Sequence, residues 1–176
     1  AHIFCTEEQL EAEIVRIIDL VEIIRKTFGL SFDHVELSTR PEKRIGEENL
    51  WDLAEKSLEK VLKAQKMKFV LNEGDGAFYG PKIDFHLKDA LGRTWQCATI
   101  QLDMALPERF ELEYQDKDGK MKRPIMLHRV VYGSLERFIG IITENCNGKF
   151  PLWINPNQIK VMTMNENTLE YAQEVY

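Results

Sequence analysis

Three cysteines in 176 residues, Cys5, Cys97 and Cys146, are too few and too far apart for a disulfide framework, and none lies in a CxxC pair. They fit a reducing compartment where thiols serve as small buried side chains. No stretch approaches the roughly 18 consecutive apolar residues of a membrane span, and no charged start with an apolar core marks a signal peptide. Positive charge is in deficit: 23 Lys and Arg face 29 Asp and Glu, a net charge of −6, which argues against a basic surface that coats nucleic acid unaided. Repeats and low-complexity segments are lacking, and with 6 Pro and 10 Gly a collagen-like chain is excluded. What is present is 44% apolar and 30% charged, enough for one full domain with a sizeable core and the beginning of another. The chain reads as soluble and cytoplasmic, with an organellar origin left open.

Residues 1–5 read as a short apolar strand with no turn or leader before it, as if cut from a longer protein. Thr6, Glu7, Glu8 and Gln9 form a capping box, so a helix starts there. Its apolar face is Leu10, Ile14, Ile17, Ile18, Val21, Ile24 and Phe28, and Gly29 is a natural stop. Val35 and Leu37 suggest a short strand, followed by a polar loop at 38–46. A second helix carries Leu50, Leu53, Ala54, Leu58, Val61 and Leu62 and ends near Lys66; residues 69–71 are strand-like. Ile83, Phe85 and Leu87 alternate with Lys82, Asp84, His86 and Lys88 as in a half-buried antiparallel strand, paired through a turn at 89–92 with a strand at 94–102. Phe110, Leu112 and Tyr114 alternate as a further strand, and Asp118-Gly119 turns the chain into a strand at 125–131. Gly133-Ser134 opens a helix with Leu135, Phe138, Ile139, Ile141 and Ile142 inward, closing at Asn147-Gly148. Beyond a boundary near Asn155, residues 159–164 read as a strand and 167–176 as the start of a helix. The expected fold is α+β with an antiparallel sheet.

Taken alone, few residues declare a chemistry. His34 and His86 fall on polar strand faces as solvated surface groups. His2 and His128, 126 positions apart, have spacing more typical of satisfied core histidines than of a zinc site, whose ligands usually include a close pair. Gly133-Ser134-Leu135-Glu136-Arg137 places a cationic fork one turn into a helix start, where free backbone donors suit a phosphate; a plain helix start with an Arg–Glu pair is the alternative. The loop GDGAFYGP (74–81) contains neither a P-loop nor a dinucleotide fingerprint. Gln96, Thr99 and Gln101 crowd polar groups into an otherwise apolar strand, which hints at a ligand, although parity sets Gln96 opposite the other two unless a bulge intervenes.

Five strings, HIFCTEEQ (2–9), LSTRPEKRIG (37–46), GAFYGPKIDF (76–85), QCATIQLD (96–103) and LHRVVYGSLERFIGI (127–141), resemble the threonyl-tRNA synthetase family in order along nearly the whole chain. The resemblance implies a class II synthetase-like antiparallel sheet flanked by helices, as a partial domain. Residues 1–154 would be the C-terminal portion of the catalytic domain up to its motif 3, GSLERF, and 155–176 the start of an anticodon-binding domain. It implies activation of threonine by ATP with Mg2+, then transfer to the terminal ribose of tRNA(Thr). By the same resemblance Arg137 is the motif 3 arginine of the ATP site, with Ser134 beside it, and Gln96 and Thr99 are further adenylate contacts. Tyr79 and Gln101 line the threonine pocket, and Lys82 is a nearby cation. His2 and His128 match the two histidine ligands of a catalytic Zn2+ that selects threonine over valine. Cys97 aligns with an ordinary strand position, since the ligand cysteine and the motif 2 arginine lie upstream in the family. The resemblance further implies a homodimeric parent, an isolated fragment without aminoacylation activity, and no membrane partner. The alternative reading is a catalytically silent synthetase-like binding or regulatory module.

Overall fold

The computed structural model describes residues 1–176. After strand β1 (His2–Cys5), helix α1 (Glu7–Thr27) begins where the capping box places it, and the Thr6 backbone N–H donates to the Gln9 side-chain oxygen at 3.0 Å. It ends at Gly29, whose φ of +64° costs glycine nothing. Leu10, Ile14, Ile17, Ile18 and Val21 are buried, while Ile24 and Phe28 on the same stripe are half-buried.

Strand β2 (Phe32–Ser38) leads through the polar loop to α2 (Glu48–Ala64), whose inward stripe includes a residue the periodicity did not suggest. Trp51 is buried and its indole N–H donates to the Ile45 carbonyl at 2.9 Å, whereas Leu50 and Leu53 remain half-buried.

Strands β3 (Val70–Asn72), β4 (Lys82–Lys88) and β5 (Thr94–Asp103) precede a short helical turn, α3 (Ala105–Arg109). A small separate hairpin, β6 (Tyr114–Gln115) with β7 (Met121–Lys122), is followed by β8 (Ile125–Val130). The main sheet has the order β1-β8-β5-β4-β2-β3, antiparallel at every pairing except β2 with β3. One face packs on α1 and α2 around Val35, Leu37, Ile83, Phe85, Ile100, Leu102 and Leu127. Each such fully buried side chain stabilises by roughly 1.5–3 kcal/mol.

Helix α4 (Leu135–Asn145) lies on a smaller cluster formed by Leu30, Leu87, Cys97, Phe138, Ile141 and Ile142. Leu135 and Ile139, expected inward, are 61% and 55% exposed. The contact stripe is only as wide as residues 138, 141 and 142, and the other two lie round the helix beyond it.

One expected strand is cut back to Tyr114–Gln115 and another is absent. Residues 110–113 are turn and coil, because Pro107 sits in α3 and Glu111 takes φ +51° to end it, leaving Phe110 68% exposed. Residues 159–164 form no strand, having no neighbour to pair with, and continue through one 3-10 turn to α5 (Leu169–Val175). No helix is long and apolar enough to cross a membrane.

The β4–β5 turn is closed by Asp89, which accepts from the Trp95 indole N–H at 2.8 Å and from the backbone N–H groups of Leu91 and Arg93. Burial alone would raise its carboxyl, but the bonds from Trp95 and Arg93 outweigh that and hold it at about 2. An unfolded aspartate titrates at about 3.9, so the stabilisation is present above that value and is lost as pH falls towards 2. Melting temperature against pH is therefore expected to fall less steeply between about pH 4 and 2 in Asp89→Asn than in the parent. Parallel acid limbs would remove Asp89 as the cause.

A candidate active site on the polar face of the sheet

The strand register aligns one residue from each of the six strands into a row: His2, His128, Gln101, Lys82, Ser38 and Asn72 are successive Cα partners. Side chains alternate across a sheet, so this row shares the face opposite the main core. Five of the residues singled out from sequence meet here or beside it.

At the row's first end the rings of His2 and His128 stand edge to face, 4.8 Å between centroids. His2 is exposed rather than set in an apolar core. Behind His128 lies Asp103, fully buried, whose Oδ2 is 2.8 Å from His128 Nε2. Its other oxygen accepts from the backbone N–H groups of Ala105 and Leu106, both at 2.9 Å, so α3 fixes the carboxylate. A carboxylate only accepts, hence Nε2 carries a ring proton, and in the neutral ring Nδ1 keeps the lone pair, the arrangement found behind metal-ligating histidines. No third His, Cys, Asp or Glu joins the pair in a ligand-sized cluster.

Next along the row, Tyr79 Oη donates to Gln101 Oε1 at 2.7 Å. Tyr79 comes from the glycine-rich loop, and its ring lies 5.9 Å from that of His128. Burial, then the Asp103 charge, pushes its phenol above the ordinary value. Lys82 Nζ lies 2.9 Å from Asp84 Oδ2 and 3.1 Å from Asp75 Oδ2. Burial would lower this ammonium's pKa, but the two carboxylates outweigh it and raise it, so the cation persists.

One step along the strands, Asp84 is 1% exposed, and β4, expected to be half-buried, is thus covered on its polar face too. Its Oδ1 accepts from Gln96 Nε2 at 2.6 Å and Thr99 Oγ1 at 2.7 Å. The parity problem is solved by a bulge: Phe85 pairs with Ala98 but His86 with Gln96, so Cys97 is the extra residue and Gln96 turns onto the face of Thr99. Cys97 points instead into the α4 cluster, and burial pushes its thiol up. Gly133, φ +73°, lies against this bulge, where a Cβ would come within 3.1 Å of the Cys97 carbonyl oxygen.

Ser134 caps α4, its Oγ accepting from the Arg137 N–H at 3.2 Å. Arg137 is exposed and makes no ion pair with Glu136; one guanidinium nitrogen donates to the Gln96 carbonyl at 3.1 Å, and the group lies 5.3 Å from the centroid of the Trp95 ring. The fork is thereby aimed with its other N–H donors free. Sequence reasoning missed Asp84 and Asp103, both lone aspartates in apolar-rich strands; the polar parity of Lys82, Asp84 and His86 was the one signal for the first. His86 was expected to be solvated, yet its side chain is only 15% exposed. A broad cleft of about 700 Å³ between the starts of α1 and α2 and the β6–β7 hairpin shares none of these residues.

Residues 1–146 match the family described as tRNA synthetase class II core domain (G, H, P, S and T). Threonine–tRNA ligases from Desulforamulus reducens and Caldanaerobacter subterraneus subsp. tengcongensis are each 57% identical to the chain, over 175 and 176 residues. Those alignments take in 99% and 100% of this chain but 27% of each relative, so the chain spans about a quarter of their length. A crystal structure described as the RNA binding domain of threonyl-tRNA synthetase from Cryptosporidium parvum Iowa II superposes with a TM-score of 0.93 at 45% identity, covering 99% of this chain and 44% of that one. With the six-stranded sheet, its flanking helices and the GSLERF helix start in place, the chain belongs to the class II tRNA synthetase core domain family.

Proposed function

We propose that the chain is the C-terminal portion of the catalytic core of a threonine–tRNA ligase, residues 1–154, followed at 155–176 by the start of an anticodon-binding domain. The parent activates threonine with ATP and Mg2+ and passes it to tRNA(Thr), as a homodimer. The observation that carries this reading is the row itself, which sets a histidine pair, a Tyr–Gln pair and an ammonium side by side, with the Arg137 fork across the Cys97 bulge.

On this reading Arg137 turns its free N–H donors to the α-phosphate oxygens, where charge grows as the threonine carboxylate attacks; a preset donor needs no reorganisation at that moment. Ser134 holds the start of α4, and Gln96 and Thr99, locked by Asp84, position the adenylate. Tyr79 and Gln101 line the threonine side of the site, and Lys82 adds a second cation. His2 and His128 would hold Zn2+, and the Asp103–His128 bond is what supports that fit; when bound, the metal offers coordination sites that the amino and hydroxyl groups of threonine fill and valine cannot. An apolar pocket alone separates such isosteres by only about a hundredfold. The third protein ligand would come from outside these 176 residues, so the isolated chain is expected to give no threonylation.

The test is ATP–pyrophosphate exchange by the full-length protein. Threonine should support exchange, valine should not, and His128→Ala should abolish it. Binding of ATP or threonine without exchange would overturn the reading in favour of a catalytically silent module.

A further inference from the structure

We propose that His34, Glu36 and His86 form a second divalent transition-metal site, of a two-histidine, one-carboxylate type suited to Zn2+, separate from the His2–His128 pair. Antiparallel pairing of β2 with β4 sets His34 opposite His86, and Glu36 lies two residues on, on the same face. The two imidazoles stack with centroids 4.3 Å apart and planes 9° from parallel. His34 Nε2 lies 3.0 Å from Glu36 Oε1, and His86 Nε2 lies 3.5 Å from Glu36 Oε2. The three ligand atoms all lie within 4.8 Å of one another. Tetrahedral Zn2+ with bonds of about 2.0–2.2 Å holds its ligands roughly 3.3–3.5 Å apart; each imidazole binds in its own plane, so the two stacked rings must turn until both planes meet at the ion.

Two further observations point to a ligand rather than to an ordinary polar cluster. His86 Nε2 is buried without a hydrogen-bond partner, because the approach to Glu36 is not a hydrogen bond. Buried ring nitrogens rarely stay unpaired. His34, for its part, has an outer support: its Nδ1 lies 2.8 Å from Asp33 Oδ2, and Asp33 is held by Lys88 Nζ at 2.7 Å and Thr94 Oγ1 at 3.2 Å. That carboxylate holds a proton on Nδ1, while without a metal Nε2 donates to Glu36 Oε1, and a metal would take the place of that second proton between the ring and Glu36. Glu36 is likewise steadied by Asn72 Nδ2 at 3.3 Å. All three ligands are half-buried, which leaves a coordination position open to solvent. A metal here would clip β2 to β4 beside Asp84, which lies opposite Glu36 and anchors Gln96 and Thr99.

The test uses the full-length protein, stripped of metal and titrated with Co2+ alone while its visible absorption is followed. His86→Ala should bind one equivalent fewer than the parent, and the same one-equivalent loss should appear in a His128→Ala background. Glu36→Gln keeps the side chain's shape but removes the anionic ligand, and should weaken the same equivalent at least about tenfold. Equal titration curves for Glu36→Gln and the parent would overturn the site, whether or not His86→Ala folds. Because the readout is metal content, absence of pyrophosphate exchange would leave it untouched, and the ligase reading and the second site fail independently.

Discussion

Asp103→Asn is expected to separate chemistry from folding. Asparagine keeps an oxygen for the backbone N–H groups of Ala105 and Leu106, so α3 should stay capped. In place of Oδ2, however, it presents an N–H2 that donates to His128 Nε2, which drives the ring proton to Nδ1 and removes the lone pair a metal needs. Loss of such an outer partner costs about 10–100-fold in metal affinity or activity, and full-length Asp103→Asn should lose exchange activity on that scale with a stability cost of about 1–2 kcal/mol. Asp103→Ala also orphans the two N–H groups and the ring nitrogen around a position that is itself fully buried, for about 1–3 kcal/mol or more. Pyrophosphate exchange and urea unfolding on both variants check this. Wild-type exchange in Asp103→Asn would mean that the Asp103–His128 bond does not orient a ligand.

The second large effect belongs to Gly80. A Cβ built there would sit 1.6 Å from the Leu102 carbonyl oxygen and 2.8 Å from its carbon, both backbone atoms of a central strand. Neither can swing aside as a side-chain tip would, so the Tyr79 loop or β5 must move. Overpacking typically costs about 1–3 kcal/mol, and this clash with fixed backbone should reach or exceed the upper end for Gly80→Ala. Tyr79 should lose its bond to Gln101 as the loop lifts. Gly140 is the control: inside α4, with nothing within 4 Å of its built Cβ, alanine should stabilise by about 1 kcal/mol. Urea midpoints in that order, Gly80→Ala lowest and Gly140→Ala highest, are the expected outcome; equal midpoints for Gly80→Ala and the parent would refute the close approach.

Much of this architecture was legible before any coordinates because local signals agreed with tertiary demand. The capping box at Thr6, the stripe from Leu10 to Val21 and the alternation from Lys82 to Lys88 each state one answer, and each is found. The two strand misses share a cause. Phe110, Leu112 and Tyr114 alternate as a strand does, but alternation needs a neighbour to pair with, and the turn that ends at Glu111 turns the chain away. Ile159, Val161, Met162 and Met164 likewise have no partner strand and stay exposed. Leu135 and Ile139 satisfied a helical period without saying how wide the contact would be. At the candidate site, the resemblance named residues, whereas their common face came from register and from one bulge that parity reasoning could only state as a condition. Asp84 and Asp103 were invisible for a different reason: an aspartate in a strand looks the same in sequence whether water or a histidine faces it.

The row across six strands also sets how this chain tolerates insertions and deletions. Its members are scattered at positions 2, 38, 72, 82, 101 and 128, and only register brings them level. Changes in loop length between strands leave every one of those pairings intact. A single residue gained or lost within a strand reverses the facing of everything beyond it until a bulge absorbs it. Cys97 is such an absorbed residue: with it deleted, Gln96 and Thr99 would stand two positions apart and share the Asp84 face with no bulge, so Gln96 and Gln101 would both keep their facing and the loss would fall on the α4 cluster that Cys97 fills.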